Sequence, residues 1–255
     1  MKTVSRYIAI LFLALACQTA SAFDFVPTDS EWLSWPSYCR ARYMSLPNGN
    51  SSKWQGSMSQ AEIENAKQQI GEAMFDRVQH FCAGAAWLIR AKYEPDERKR
   101  KYCYQTSIVE ATYTFSRSQI SDPLVPIMLN TLASAAQGLG DTDAALKYLN
   151  TSINAHPNVS TSYIALGILH RNQHNLKAAK EALLRGDTAT ESESADLNYN
   201  LALILLDLKE NDAALKHAQR AYSLGYPLPG LRNRLKQLGI WKEEQKEVMR
   251  SDSAQ

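Results

Sequence analysis

Three short stretches decide the fold: Gly140-Asp141-Thr142-Asp143-Ala144-Ala145-Leu146, Asn175-Leu176-Lys177-Ala178-Ala179-Lys180 and Glu210-Asn211-Asp212-Ala213-Ala214-Leu215. Each carries an Ala-Ala pair behind a turn-forming residue. The second alanines, Ala145, Ala179 and Ala214, lie 34 and 35 residues apart. Self-similarity at such a period marks a stacked array of supersecondary units, each too small to bury its apolar face alone. A small residue fixed in each unit lets two helices cross at close range.

The spacing around these alanines resembles the tetratricopeptide-repeat family, whose unit is a helix pair. That family sets small residues at positions 8, 20 and 27, large apolar ones at 4, 7, 11 and 24, and often proline at 32. Unit one (126–159) matches with Leu129, Leu132, Ala133, Gly140, Ala145, Leu149 and Pro157, and carries Ala136 at the large position 11 and Ser152 at the last small one. Unit two (160–193) matches with Tyr163, Leu166, Gly167, Ala179 and Leu183, and departs at His170, His174, Gly186 and Glu191. Unit three (195–228) matches with Leu201, Ala202, Leu205, Ala214 and Ala221, with Lys209 at the turn glycine and Pro227 one place late. The resemblance implies an all-α solenoid of helical hairpins, of the kind found in exported bacterial envelope proteins.

Outward from the repeats, Leu231, Leu235, Leu238 and Trp241 form a stripe that predicts a capping helix within 229–247, followed by a frayed tail over 248–255. Upstream, 58–122 reads as a helical hairpin region. Ser59 and Glu62 spell a capping box, a break falls near Gly71, and Glu94-Pro95-Asp96 stops one helix before the next begins. With His80 at position 4, Ala83, Gly84 and Trp87 take positions 7, 8 and 11. Tyr104, Ile108 and Ala111 then take 20, 24 and 27 after an eight-residue insertion, making this a degenerate fourth unit. Residues 23–57 hold Pro27, Pro36, Pro47 and Asn48-Gly49-Asn50 among Trp32, Trp35, Tyr38, Tyr43 and Trp54, and read as an irregular, aromatic-rich segment covering the first helices.

The N-terminus reads as an export signal, residues 1–22. Lys2 and Arg6 precede an apolar run, Ile8 to Ala16, too short to span a bilayer, and Ala20-Ser21-Ala22 offers a cleavage site that leaves Phe23 first. A lipid-modified Cys17 is the minor alternative. Taking Lys2 and Arg6 from the 28 basic residues leaves as many as the 26 acidic ones. A chain so balanced has no general attraction to nucleic acid or anionic lipid. No further apolar stretch is long enough to predict a membrane span in the mature chain. The expected location is the periplasm. There two of Cys39, Cys82 and Cys103 should pair. The expected pair is Cys39–Cys82, which ties the aromatic segment to the first hairpin. Cys82–Cys103, within one hairpin, is the rival.

No signature of chemistry accompanies the repeats, and the sequence predicts neither an enzyme nor a cofactor. There is no Gly-x-Ser-x-Gly, no phosphate-cradling glycine loop, and no carboxylate pair in apolar surroundings. His170 and His174 share a helix face as two metal ligands would, but lack a third ligand and an adjacent glutamate, and the repeat register gives them packing and turn positions. Function is expected in the concave face, lined in this family by positions 2, 5, 9 and 12. These are Ile127, Asn130, Ser134 and Gln137; Thr161, Ile164, Ile168 and Arg171; Asp196, Tyr199, Leu203 and Leu206. Members that clamp a C-terminal carboxylate use lysine, arginine and asparagine there, and only Asn130 and Asn200 match. The apolar strip Ile164, Ile168, Tyr199, Leu203 and Leu206, with Tyr199 as anchor, predicts a groove for a helix or peptide of a protein partner in the cell envelope. The alternatives are a structural accessory subunit whose groove is filled by the chain itself, and a metal-binding or enzymatic N-terminal half.

Overall fold

The computed structural model describes residues 25–46 and 53–241. The expected signal peptide with Cys17 and its expected cleavage site, residues 47–52, and everything after Trp241 lie outside the described residues. Thirteen helices follow one another in the described residues: α1 (Asp29–Ser34), α2 (Ser37–Met44), α3 (Gln60–Ile70), α4 (Glu72–Phe75), α5 (Val78–Tyr93), α6 (Glu97–Phe115), α7 (Val125–Gly138), α8 (Thr142–Ala155), α9 (Ser160–Asn172), α10 (Leu176–Ala189), α11 (Ala195–Asp207), α12 (Asn211–Ser223) and α13 (Gly230–Gln237).

From α5 onward the helices pair as antiparallel hairpins: α5/α6, α7/α8, α9/α10 and α11/α12. Small residues set the crossings, and Ala145, Ala179 and Ala214 are wholly buried. A methyl group added at Gly167 would fall 2.8 Å from the Leu183 side chain, and one at Gly186 would fall 2.6 Å from both Tyr163 and Leu197. Ser152, also fully buried, meets Ser162 of the next unit at 2.7 Å between hydroxyls. Position 4 of unit three is Asn198, equally buried. Its amide nitrogen donates to the carbonyls of Ser192 and Ser194, which turns its oxygen toward Nδ1 of His217 at 2.8 Å. Burial pushes the His217 imidazole below its usual pKa, so the ring stays neutral with its proton on Nδ1.

The turn inside each unit is left-handed whatever residue occupies it. Gly140, His174 and Lys209 have φ of 81°, 58° and 62°. In each case the following amide closes the helix end on a carbonyl five residues back: Asp141 on Ala136, Asn175 on His170, and Glu210 on Leu205. This is the Schellman arrangement, which satisfies the orphan carbonyls of a helix C-terminus. Asp141 and Asn175 then cap the second helix of their units, accepting from the amides of Ala144 and Ala178.

Three sequence expectations are corrected. Residues 23–57 are not simply irregular: Thr28 and Glu31 form a capping box that starts α1, and α2 follows Pro36. The aromatic residues make a core of their own. Trp32 stacks on Trp54 at 4.8 Å, and Tyr43 meets Trp35 edge-on at 5.6 Å. In the α5/α6 hairpin, the residues facing Gly84 are Ser107 and Ala111, not Tyr104. Tyr104 turns away and lays its ring over Gly138 of α7, because the Gly84 crossing is too close for a ring. The capping helix, expected to reach 247, ends at Gln237. Gly239 takes φ of 69°, and the amides of Ile240 and Trp241 both return to the Leu235 carbonyl. Leu231 and Leu235 are buried, whereas Leu238 is exposed. Trp241 reaches Tyr222 edge-on at 5.7 Å from beyond the helix.

The N-terminal block is fastened to α5 in two ways. Cys39 of α2 and Cys82 of α5 are joined by a disulfide, with Cα atoms 5.7 Å apart. Cys103 is free and buried, and burial pushes its thiol up, away from the reactive thiolate. The second fastening is Arg90 of α5. It donates from Nε and Nη2 to the two Glu31 oxygens, both at 2.7 Å, and its guanidinium lies over Phe25 and Trp87 at 4.7 and 4.6 Å. Burial alone would raise the pKa of Glu31. The hydrogen bonds from Arg90 and Thr28, with the guanidinium charge, outweigh it and hold the carboxyl below its ordinary value. A depressed folded-state pKa contributes stability that is present above the unfolded pKa of about 4.3 and lost as pH falls through the folded value. Glu31→Gln should therefore cost on the order of 1–2 kcal/mol at pH 7, a range discounted for the partial exposure of Arg90. The stability curves of variant and parent should converge in acid. Urea titrations at pH 7 and pH 3 check this, and an equal gap at both would show the pair contributes nothing.

Candidate functional site

The first helices of the units lie side by side, and between α5, α7 and α9 they leave a hollow of about 470 Å³. Leu88 and Lys92 come from α5, Ser134 and Gln137 from α7, and Ala165, Ile168 and Asn172 from α9, with the Tyr104 ring at the edge beside Gly138. The lining is mixed in character: apolar side chains, amide and hydroxyl groups, and one cation. Ile168 is 42% exposed, enough for its side chain to be covered by a ligand.

Of the groove residues expected from sequence, Ser134, Gln137 and Ile168 gather in this hollow and the others do not. Asn130 donates to the Thr161 hydroxyl at 3.2 Å, and Asn200 to the Asp196 carbonyl at 2.8 Å, so each amide nitrogen is engaged within the chain. Ile164 and Leu203 are half-buried against the repeat core, and Leu206 is buried in it. The expectation that Leu206 lines an open strip is therefore corrected: it packs inward with Leu205 where α11 meets its neighbours. Arg171 is committed to Asp207 at 2.7 Å, and Asp207 also accepts from Arg234 at 3.0 Å. This chain of charges links α9, α11 and α13 and borders a second, open hollow with Asn172, His174 and Leu176. Tyr199 is not a free anchor. Tyr226, in the turn before α13, stacks on it with ring centroids 3.9 Å apart and planes 17° apart. The third unit's end of the strip is thus covered by the chain's own turn.

Sequence reasoning missed Leu88, Lys92, Tyr104, Ala165 and Asn172. A signal existed for the first: with His80 at position 4, Leu88 falls at position 12, a groove position. Tyr104 could not be found, because its register in α6 is shifted. Among the described residues, no three histidine, cysteine or acidic side chains come together as metal ligands. His174 stands in its left-handed turn, His156 Nε2 meets the Ile120 carbonyl at 2.7 Å, and His80 pairs with Glu110 at 2.7 Å. No helix among the described residues is long and apolar enough to cross a membrane.

Comparison with known proteins agrees with the helix-pair geometry. The tetratricopeptide-repeat family model matches residues 127–158 and 195–224, so the α7/α8 and α11/α12 pairs are tetratricopeptide repeats. The α9/α10 pair between them, with histidine at its packing and turn positions, falls outside the matched residues. Among solved structures, a thermophilic TPR protein of Thermus thermophilus, TTC0263, is 14% identical with a TM-score of 0.45, over 70% of this chain and all of that one. YrrB, described as a TPR protein with an unusual peptide-binding site, is 16% identical with a TM-score of 0.44, over 76% of this chain and 90% of that one. No curated protein sequence matches the chain.

Proposed function

We propose that this chain is an exported protein-interaction adaptor of the cell envelope, without catalysis of its own, that holds a peptide or helix of another protein in the hollow between α5, α7 and α9. The observation that carries the reading is the hollow itself: three adjacent first helices present Leu88, Ile168 and the amides of Gln137 and Asn172 to one concave space. Apolar and hydrogen-bonding side chains lining one hollow are what a peptide needs for affinity and register. Export is supported by the charge and apolar pattern of residues 1–22, and by the Cys39–Cys82 bridge, since disulfides persist in oxidising compartments.

Affinity capture of the tagged mature chain from its own envelope supplies the partner, and titration of that partner tests the site. Ile168→Arg should weaken binding about thirtyfold, which corresponds to about 2 kcal/mol for a central interface residue. Lys177→Ala, on the exposed side of α10, should leave it unchanged. The Tyr226 stack favours a second reading, an accessory subunit whose groove is partly self-filled. That reading gains if a captured partner binds the Ile168→Arg variant as tightly as the parent.

A further inference from the structure

The second helices of the array differ on their outer faces. Among the described residues, α8 and α12 expose no large apolar side chain, and α10 exposes only Leu184. On α6, Tyr102, Val109 and Tyr113 are 57%, 66% and 40% exposed. The buried face of α6 is the reverse, being made of Cys103, Ser107, Ala111 and Thr114. Close approach to Gly84 explains the small inner residues; Tyr113 and Tyr102 touch the His80 and Trp87 rings of α5 yet stay exposed, and Val109 is the most exposed of the three.

The outer residues are ordered. Tyr102, Thr106, Val109 and Tyr113 succeed one another at intervals of four, three and four, the spacing of a seam on which one further helix packs. The Thr106 hydroxyl donates back to the Tyr102 carbonyl at 2.9 Å, which satisfies its polar group within the helix. Over the 19 residues of α6 the face runs about 28 Å. At its N-terminal end Glu97 is exposed among three basic side chains, Arg98, Lys99 and Lys101, so the balance there is positive. Arg98 and Lys99 are exposed before the seam and Arg117 after it, with the Arg117 guanidinium 3.8 Å over the Tyr113 ring. Glu110, on the flank, is engaged with His80.

We infer that the outer face of α6 is a second docking surface, for an acidic amphipathic helix of another protein. A second copy of this chain does not suit it. Antiparallel packing would bring Arg98 and Lys99 against Arg117, and parallel packing would set Arg98 against Arg98; like charges in contact oppose pairing in either orientation. A helix with an apolar stripe and carboxylates near both ends meets every feature of the face. None of the seam residues lines the hollow.

The probe is a synthetic 18-residue peptide with leucine along one stripe and glutamate elsewhere, labelled and titrated into the mature chain by fluorescence anisotropy at low and moderate salt. The peptide should bind, Val109→Glu should weaken it at least tenfold, and added salt should weaken it further. A version with lysine for every glutamate should not bind. Ile168→Arg, in the hollow, should bind the acidic peptide as the parent does, which separates this surface from the first. Val109→Glu should melt with the parent, since the side chain is exposed. Equal binding of the lysine peptide, indifference to Val109→Glu, or loss through Ile168→Arg would overturn the inference. So would a parent dimer dissolved by Val109→Glu, which assigns the face to a second copy. Absence of peptide binding together with Val109-dependent sedimentation on vesicles containing phosphatidylglycerol would overturn it too, in favour of an anionic membrane.

Discussion

Replacing Cys39 and Cys82 together with alanine should lower the stability of the oxidised mature chain by about 4 kcal/mol. The bridge spans 43 residues of sequence, and the chain-entropy model assigns a loop of that length about this much restriction of the unfolded state. The loss should be largest for the N-terminal block. Without the bridge, α1 and α2 rest on α5 through Arg90, Glu31 and the aromatic core. Urea unfolding followed by tryptophan fluorescence reads that block directly, because Trp32, Trp35 and Trp54 all belong to it. Dithiothreitol should lower the parent toward the variant and leave the variant where it is. Non-reducing peptide mapping should join the Cys39 peptide to the Cys82 peptide. A Cys82–Cys103 link would refute the pairing, and an unchanged midpoint would refute the fastening.

Gly84→Val should cost about 3 kcal/mol, the upper end of what overpacking does. A Cβ at Gly84 would lie 2.9 Å from the Ala111 nitrogen and 3.0 Å from the Ser107 carbonyl oxygen. Both are backbone atoms, which cannot rotate aside as the Leu183 side chain can at Gly167. Parting the helices would also break the bond from the Ser107 hydroxyl to the Gly84 carbonyl, buried at 2.8 Å. Because α5 contributes Leu88 and Lys92 to the hollow, the same change should impair partner binding as well as stability. Lys101→Ala, exposed on α6, should cost under about 0.5 kcal/mol. Thermal melts of the two variants decide it; equal shifts would mean that α5 and α6 do not cross at Gly84.

The repeat array was legible because its physics is periodic. Each crossing needs a small residue, so Ala145, Ala179 and Ala214 recur at nearly constant spacing. The turn was legible in only one of three units. Gly140 announces a left-handed turn, but His174 and Lys209 adopt it under the compulsion of the two helices they join, a tertiary constraint that overrides local preference. The same override hid α1 and α2. Prolines and aromatics dominated the reading of 23–57, although Thr28 and Glu31 already spelled the capping box. Asn198 defeats the pattern differently, taking an apolar position with a polar group whose partners, His217 and two carbonyls, come from elsewhere in the fold. The hollow was half legible. Ser134, Gln137 and Ile168 follow from register alone, whereas Tyr199 is covered by Tyr226, from a turn whose path no spacing rule describes.

Photocrosslinking tests most directly whether a partner chain sits in the hollow between α5, α7 and α9. A benzoylphenylalanine introduced at Gln137, within the hollow, and another at Glu181, on the exposed side of α10, would be irradiated in intact cells. One specific adduct is expected from position 137, lost when Ile168→Arg is added, and none from position 181. Adducts of equal yield from both positions, or an adduct from 137 that is indifferent to Ile168→Arg, would contradict it.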